Sequence, residues 1–241
     1  MTSNPLVRDA YDAWHERYEV DRDAATPWHR LVLRHLDAER DLKGRRVLEI
    51  ACGRGGFAAT LAHMTNPPPR LVAADFSAAA VRKARAFAWR EAPGRIACEV
   101  GDAQSLPHPD GSFDTVISCE TIEHVPNPRR ALAEFARVLK THGRLVLTSP
   151  NYLGTMGLYR GYLRLRGRRY SEEGQPINNF LMLPRTAHWV RTAGLKVVSV
   201  DASGHYLPVP GRPPVEVRAF GRLRPLRWIA LHSLIVAEKR G

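Results

Sequence analysis

Val47-Leu48-Glu49-Ile50-Ala51-Cys52-Gly53-Arg54-Gly55-Gly56-Phe57-Ala58 reads as an apolar strand ending beside a carboxylate, a glycine-rich turn and the first residues of a helix. Glycine tolerates positive φ and lacks a Cβ, so a turn built from it lets backbone pass close to a ligand. The helix beyond presents unpaired N–H groups in its first turn, which suit a polar or anionic group. Alone, the stretch is ambiguous, because Gly53-x-Gly55-x-x-Ala58 also fits the dinucleotide fingerprint. The residues around it have to decide what it holds.

Outward from the turn, strands and helices alternate. Apolar runs predict strands at Val47–Ala51, Leu71–Ala74, Ile96–Val100, Phe113–Cys119 and Arg144–Thr148. Helices are predicted over Phe57–Met64, from a Ser77 cap to Trp89, and from Asn127-Pro128 to Lys140 with a stop at Gly143. After a break at Pro150, a helix over Pro184–Ala193 and strands over Leu195–Val200 and Leu231–Glu238 complete the pattern. Short apolar strands alternating with helices predict an α/β fold, a doubly wound (Rossmann-like) sheet. Seven strands are expected, mostly parallel, with the C-terminal strand antiparallel.

The whole chain, 1–241, is read as one domain. Residues 1–40 form a helical cover carrying Tyr11, Trp14 and Tyr18, then Trp28, Leu31, Leu33 and Leu36, with Thr26 and Pro27 opening its second helix. Residues 45–150 are the ligand-binding core. Residues 151–183 and 204–225 are insertions, too long for plain connectors, and are read as lids.

A hydrophobic content of 44% and a charged content of 25% are those of an ordinary globular chain. The net charge of +12 is high and attracts nucleic acid, anionic lipid or acidic substrates. Cys52, Cys98 and Cys119 lack metal-ligand spacing and sit in apolar runs, which predicts free thiols in a reducing compartment. The polar N-terminus and the absence of a long apolar run predict a cytoplasmic protein.

Open α/β sheets bind ligands beyond the carboxyl ends of their strands. Four carboxylates fall there: Glu49 beside the glycine turn, Asp75 after the second strand, Asp102 with Ala103 after the third, and Glu120 after the fourth. Asp75 is placed to accept bonds from two ribose hydroxyls, and Asp102 to meet an adenine amino group. A nicotinamide dinucleotide would use Gly53, Gly55, Ala58 and Asp75 but gives no role to Glu49 or to Asp102-Ala103.

On Val47–Gly55, Asp75-Phe76-Ser77, Gly101-Asp102-Ala103 and Ser112–Ile117 the chain resembles the class I S-adenosylmethionine-dependent methyltransferases. Within them it is similar to the ubiquinone-biosynthesis O-methyltransferase branch. The resemblance implies S-adenosylmethionine as cofactor, with Glu49 and the turn at its methionine end, Asp75 at ribose and Asp102 at adenine. Tyr18, Glu49, Ala51, Cys52, Gly53, Gly55, Asp75, Phe76, Ser77, Asp102, Ala103 and Cys119 are the expected cofactor-binding residues. Ala51 departs from the glycine that many members carry there, and alanine is small enough for only a modest effect.

Methyl transfer needs the acceptor aligned with the bond that breaks, and an oxygen acceptor also loses a proton, to a His, a Glu or a metal-bound group. Glu120, Glu123 and His124, three and four apart, can share one helical face and are the expected catalytic residues. Their string is similar to a Glu-x-x-Glu-His element that in relatives implies a divalent-metal site, so Mg²⁺ at these three side chains is a further expectation. A matching later histidine is missing, because that region reads Ile177-Asn178-Asn179-Phe180. His188 and His205 are weaker base candidates.

The acceptor pocket is expected to be built from the N-terminal cover and residues 151–183 and 204–216, which carry Tyr152, Met156, Tyr159, Tyr162, Phe180, Met182, His205 and Tyr206 among arginines, a lining for a bulky, partly apolar small molecule, with O-methylation the expected chemistry. The basic, apolar stretch 158–169 is a candidate for peripheral contact with anionic membrane. The alternative of an RNA 2′-O-methyltransferase draws on the charge and on the Glu-x-x-Glu-His string, but no RNA-binding module is recognisable, which argues against nucleic acid. A non-catalytic scaffold that merely binds S-adenosylmethionine is the third reading, and the intact Glu49, Gly53, Gly55, Asp75 and Asp102 argue against it.

Overall fold

The computed structural model describes residues 5–18, 24–171, 174–207, 209, 215–217, 219–220 and 223–241. Its centre is a seven-stranded sheet of β1 (Arg46–Ile50), β2 (Arg70–Asp75), β3 (Ile96–Val100), β4 (Phe113–Ser118), β5 (Leu139–Pro150), β6 (Leu195–Ser203) and β9 (His232–Lys239). The strand order is β3-β2-β1-β4-β5-β9-β6, and only β9 runs antiparallel to its neighbours, as the sequence predicts. The order reverses at β1, which is flanked by β2 and β4. Helices leave opposite faces of the sheet on either side of such a point and open a crevice at the carboxyl ends of these strands.

Both faces are covered, so the central strands are apolar on both sides. One core packs Leu48 and Ile50 against α5 (Pro128–Val138) and α7 (Leu183–Thr192) through Leu132, Phe135 and Val190. The other packs Val47 against α2 (Pro27–His35), α3 (Gly56–Ala62) and α4 (Ala78–Glu91) through Leu31, Phe57, Leu61 and Ala84. The predicted caps are present: the side chains of Thr26, Ser77 and Asn127 accept from the backbone N–H groups of His29, Ala80 and Arg130.

The helix expected to reach Lys140 ends two residues earlier, at Val138, and the chain enters β5 directly. The turn falls within the strand, where His142 takes the left-handed φ of 63°. Gly143 does not have that φ. Its missing Cβ instead admits the carbonyls of Lys140 and Asp114, which would lie 2.8 and 3.0 Å from such a carbon.

The cover is α1 (Pro5–Arg17) and α2, followed by a π-helical turn over Ala38–Leu42. The first insertion contains α6 (Thr155–Leu165). The second contains the two-stranded pair β7 (Tyr206–Leu207) and β8 (Val215–Glu216), then a 3-10 helix over Arg224–Ile229. Positions 172, 173, 208, 210–214, 218, 221 and 222 of these lids lie outside the described residues. Among the described residues no helix is long and apolar enough to cross a membrane.

Candidate active site

A cavity of about 500 Å³ opens at the carboxyl ends of β1, β2 and β4, within the range of small-molecule sites. Its floor begins at the glycine turn. Ala51, Gly53 and Gly55 have φ values of 59°, 54° and 82°, so the turn is left-handed three times. Gly53 lines the cavity. Gly55 does not; a Cβ there would sit 3.3 Å from that of Ala84, so this glycine serves the close packing of α3 on α4.

Asp75, 6% exposed, ends β2. Oδ2 accepts from the Gly53 N–H and Oδ1 from the Ser77 N–H, each at 2.9 Å. Burial pushes this carboxyl up, and His15, with Nε2 4.0 Å from Oδ1, and the two N–H bonds work against that rise. Burial in turn pushes the His15 imidazole down, despite Asp75. Each Asp75 oxygen keeps a second lone pair, so the group can accept two adjacent hydroxyls. Phe76 and Ala103 add apolar walls nearby. Asp102 accepts from the backbone and side-chain N–H groups of Gln104, at 2.9 and 3.3 Å, through Oδ1. Ser77 is fully buried and acts one step back, capping α4 and donating to Asp12.

α1 closes over this half of the cavity and is held there at several points. The Tyr11 hydroxyl donates to the His124 carbonyl at 2.9 Å, and Asp12 accepts from the Ala79 N–H at 3.0 Å. Arg54 donates to the carbonyls of His15 and Tyr18. Tyr11, Trp14 and His15 line the cavity. Tyr18, expected at the cofactor, does not: it follows the last turn of α1 and packs on Trp14 at 5.4 Å between ring centroids.

The expected catalytic string is divided by the fold. Glu120, at φ 44°, leads out of β4, and its N–H donates to Thr148 Oγ1 at 3.0 Å. Its carboxylate lies 3.5 Å from His232 Nδ1, on the β5–β9 side. Ile122–His124 then form a 3-10 turn instead of an α-helical face. Glu123 is 1% exposed, does not line the cavity, and has Oε1 3.7 Å from His124 Nε2. His124 lines it, with Nδ1 2.7 Å from the Ile177 carbonyl, which requires the proton on Nδ1. Among the described residues no three His, Cys, Asp or Glu side chains form a metal-ligand group. The Mg²⁺ site expected at Glu120, Glu123 and His124 is therefore not assembled, because the turn aims Glu120 away from the other two.

Cys52 and Cys119 line the cavity without a disulfide, and burial pushes the Cys52 thiol well up, which keeps it protonated at neutral pH. His188 is exposed on α7, and His205 is spent on the Leu226 carbonyl at 2.8 Å.

The far half of the cavity includes the N-terminal cover, as expected, but none of the expected lid residues Tyr152, Met156, Tyr159, Tyr162, Phe180, Met182, His205 and Tyr206. It is lined by Thr26, Trp28 and His29 of the cover, Pro150 of β5, and Leu231 and His232 at the start of β9. Nothing near His232 in sequence marks it. It enters the site because it pairs in register with Pro150, 82 residues earlier.

A methyltransferase-domain family model matches residues 48–147. The 27-O-demethylrifamycin SV methyltransferase of Amycolatopsis mediterranei is 29% identical over 81% of this chain and 68% of its own. The ubiquinone/menaquinone biosynthesis C-methyltransferase of Geobacter sulfurreducens is 37% identical over 58% of this chain and 56% of its own. The chain spans 36% to 68% of the length of the first curated relatives it matches. Among solved structures, the methyltransferase subunit of a Haloferax volcanii complex with the Trm112 activator superposes with a TM-score of 0.72, covering 98% of both chains at 23% identity. At that identity the likeness speaks for the fold alone.

Proposed function

We propose that residues 48–147, which match the methyltransferase-domain model, act as a class I S-adenosylmethionine-dependent methyltransferase domain and that the chain methylates a hydroxyl of a bulky, partly apolar small molecule. The observation that carries this reading is the reach of the cavity. It runs from Asp75 and Asp102 to Trp28, Pro150 and Leu231, so one space holds both a nucleoside-sized group and an apolar acceptor. The relatives named for rifamycin and for quinone biosynthesis act on molecules of that kind.

S-adenosylmethionine, when bound, supplies a methyl group already activated on sulfur. Asp75 accepts the two ribose hydroxyls, Asp102 meets adenine, and Glu49 with the Ala51–Gly53 backbone receives the methionine end. Tyr11, Trp14 and His15 exclude water from above. Alignment of this kind contributes about 7–11 kcal/mol to such reactions in favourable cases. The test is incubation with methyl-labelled S-adenosylmethionine and a panel of quinols, macrocyclic polyketide phenols and total RNA. Label in the small-molecule fraction is expected. Label confined to RNA, or none with S-adenosylmethionine bound, overturns the reading.

The acceptor is proposed to arrive from an anionic membrane surface. Leu158, Tyr162 and Leu165 project from one face of α6, exposed by 76%, 54% and 88%. Arg164, Arg166, Arg168 and Arg169 are exposed around them, with no acidic residue between 155 and 169.

A further inference from the structure

We propose that His232, oriented by Glu120, is the group that takes the acceptor's proton; this rests on the function proposed above. The two side chains come from strands far apart in sequence. β4 ends just before Glu120, and the pairing of Pro150 with His232 brings the start of β9 to the same edge of the sheet. Glu120 is held in the left-handed region by bonds from its N–H to the carbonyl and hydroxyl of Thr148, at 3.2 and 3.0 Å. A non-glycine residue kept there against its preference marks a side chain that is being aimed.

The pair is desolvated. Side-chain exposures are 10% for His232 and 15% for Glu120, and Oε2 lies 3.5 Å from Nδ1. His232 Nδ1 and Glu120 Oε1 are buried without a hydrogen bond among the described residues. The carboxylate is thus the group that Nδ1 faces, and catalytic contacts of this length commonly tighten when substrate is in place. The ring itself is fixed. Trp28 packs on it at 5.1 Å and Tyr206 meets it edge-on at 6.0 Å. Gly204 makes room, since a Cβ there would fall 2.9 Å from His232 Cδ2.

A proton on Nδ1, facing Glu120, leaves the lone pair on Nε2 of a ring that lines the cavity. The other imidazoles at the cavity stand differently: His15 Nε2 faces Asp75 at 4.0 Å, His29 Nδ1 meets Thr26 Oγ1 at 2.8 Å, and His124, with Nδ1 on the Ile177 carbonyl, has Nε2 turned to the buried Glu123 at 3.7 Å. In the transfer, the acceptor oxygen forms its bond to the methyl carbon. The carbon–sulfur bond breaks with its electron pair going to sulfur, and the hydroxyl proton moves to His232 Nε2, later passing to water. Glu120 stabilises the resulting imidazolium through Nδ1–H.

The experiment has two arms. In the full-length protein, the ¹H–¹⁵N correlations of the His232 ring at pH 8 should show the Nδ1–H tautomer, and Glu120→Ala should move it toward Nε2–H. An Nε2–H ring in the wild type, or a tautomer indifferent to Glu120→Ala, overturns the proposal. With a naphthoquinol and a catechol as probe acceptors, His232→Gln should slow turnover at least about 100-fold with S-adenosylmethionine affinity unchanged. A full rate in His232→Gln also overturns it. If the wild type methylates neither probe while binding S-adenosylmethionine, the proposed function fails, and the tautomer still decides the role of the pair.

Discussion

A carboxylate that takes one backbone N–H on each oxygen, as Asp75 does from Gly53 and Ser77, is fixed in plane and keeps one lone pair per oxygen for a ligand. Hydrogen bonds to a charged group contribute about 1.5–3 kcal/mol each. Asp75→Ala should therefore weaken S-adenosylmethionine binding by two such bonds, a loss of roughly 100-fold or more by titration calorimetry. Unchanged affinity would remove Asp75 from the ribose. Ala51 poses a different residue-scale question, because its φ of 59° carries a left-handed cost of about 1–2 kcal/mol for a residue with a Cβ. Ala51→Gly relieves that strain but loosens the unfolded chain by about 0.4–1 kcal/mol. The variant should be equal to or slightly more stable than the wild type in urea, and a clear destabilisation would show that the methyl group packs productively.

Between elements, the π-helical turn before β1 is tied to β5 by a buried ion pair. Arg144 Nη1 lies 2.6 Å from both carboxylate oxygens of Asp41, which is fully buried. Burial pushes the Asp41 carboxyl up, against the pull of the Asp37 N–H and of Arg144. Removing one member of such a pair costs about 3–5 kcal/mol, whereas apolar replacement of both is often neutral. Urea unfolding should show that loss in Arg144→Met and its recovery in Asp41→Leu/Arg144→Met; an undiminished Arg144→Met would mean that water replaces the guanidinium. Asp114 joins β4 to the start of β1 and to β5 through the Arg46 N–H, Lys140 and Arg45. Its burial raises the carboxyl, but these three outweigh it and hold it below the ordinary range. A folded value below the unfolded one contributes stability above the unfolded pKa and loses it as pH falls through the folded one. Asp114→Asn should accordingly be less stable than wild type at about pH 7, with the difference starting to shrink below about pH 4 and vanishing only once pH has fallen below the depressed folded value. A difference that persists in acid would refute the electrostatic account.

For the whole molecule, the lid surface is where charge and exposed apolar area coincide, within a chain of net charge +12. Vesicles containing a third phosphatidylserine should co-sediment the protein at low salt. Leu158→Asp/Leu165→Asp should abolish this while leaving S-adenosylmethionine binding intact, since α6 does not line the cavity. Equal binding to neutral vesicles would remove the electrostatic part of the membrane proposal. The sheet, its antiparallel strand, the caps, and Glu49, Asp75 and Asp102 at the strand ends were all legible in the chain. Alternation of apolar runs, cap residues and glycines acts over a few neighbours, and the carboxyl end of a strand is a position that local pattern defines. Three features were not legible: the division of Glu120 from Glu123 and His124, the exclusion of Tyr18, and the entry of His232 in place of the lid aromatics. A 3-10 turn replaced the expected helical face, α1 ended one residue before Tyr18, and the register of β9 on β5 carried His232 to the tip of β4. The sequence by itself thus determined the half of the cavity proposed for the cofactor, whose residues follow one another along successive strands. The half proposed for the acceptor was decided by tertiary structure, because its side chains meet only once an antiparallel strand and an N-terminal helix pack onto the same edge of the sheet.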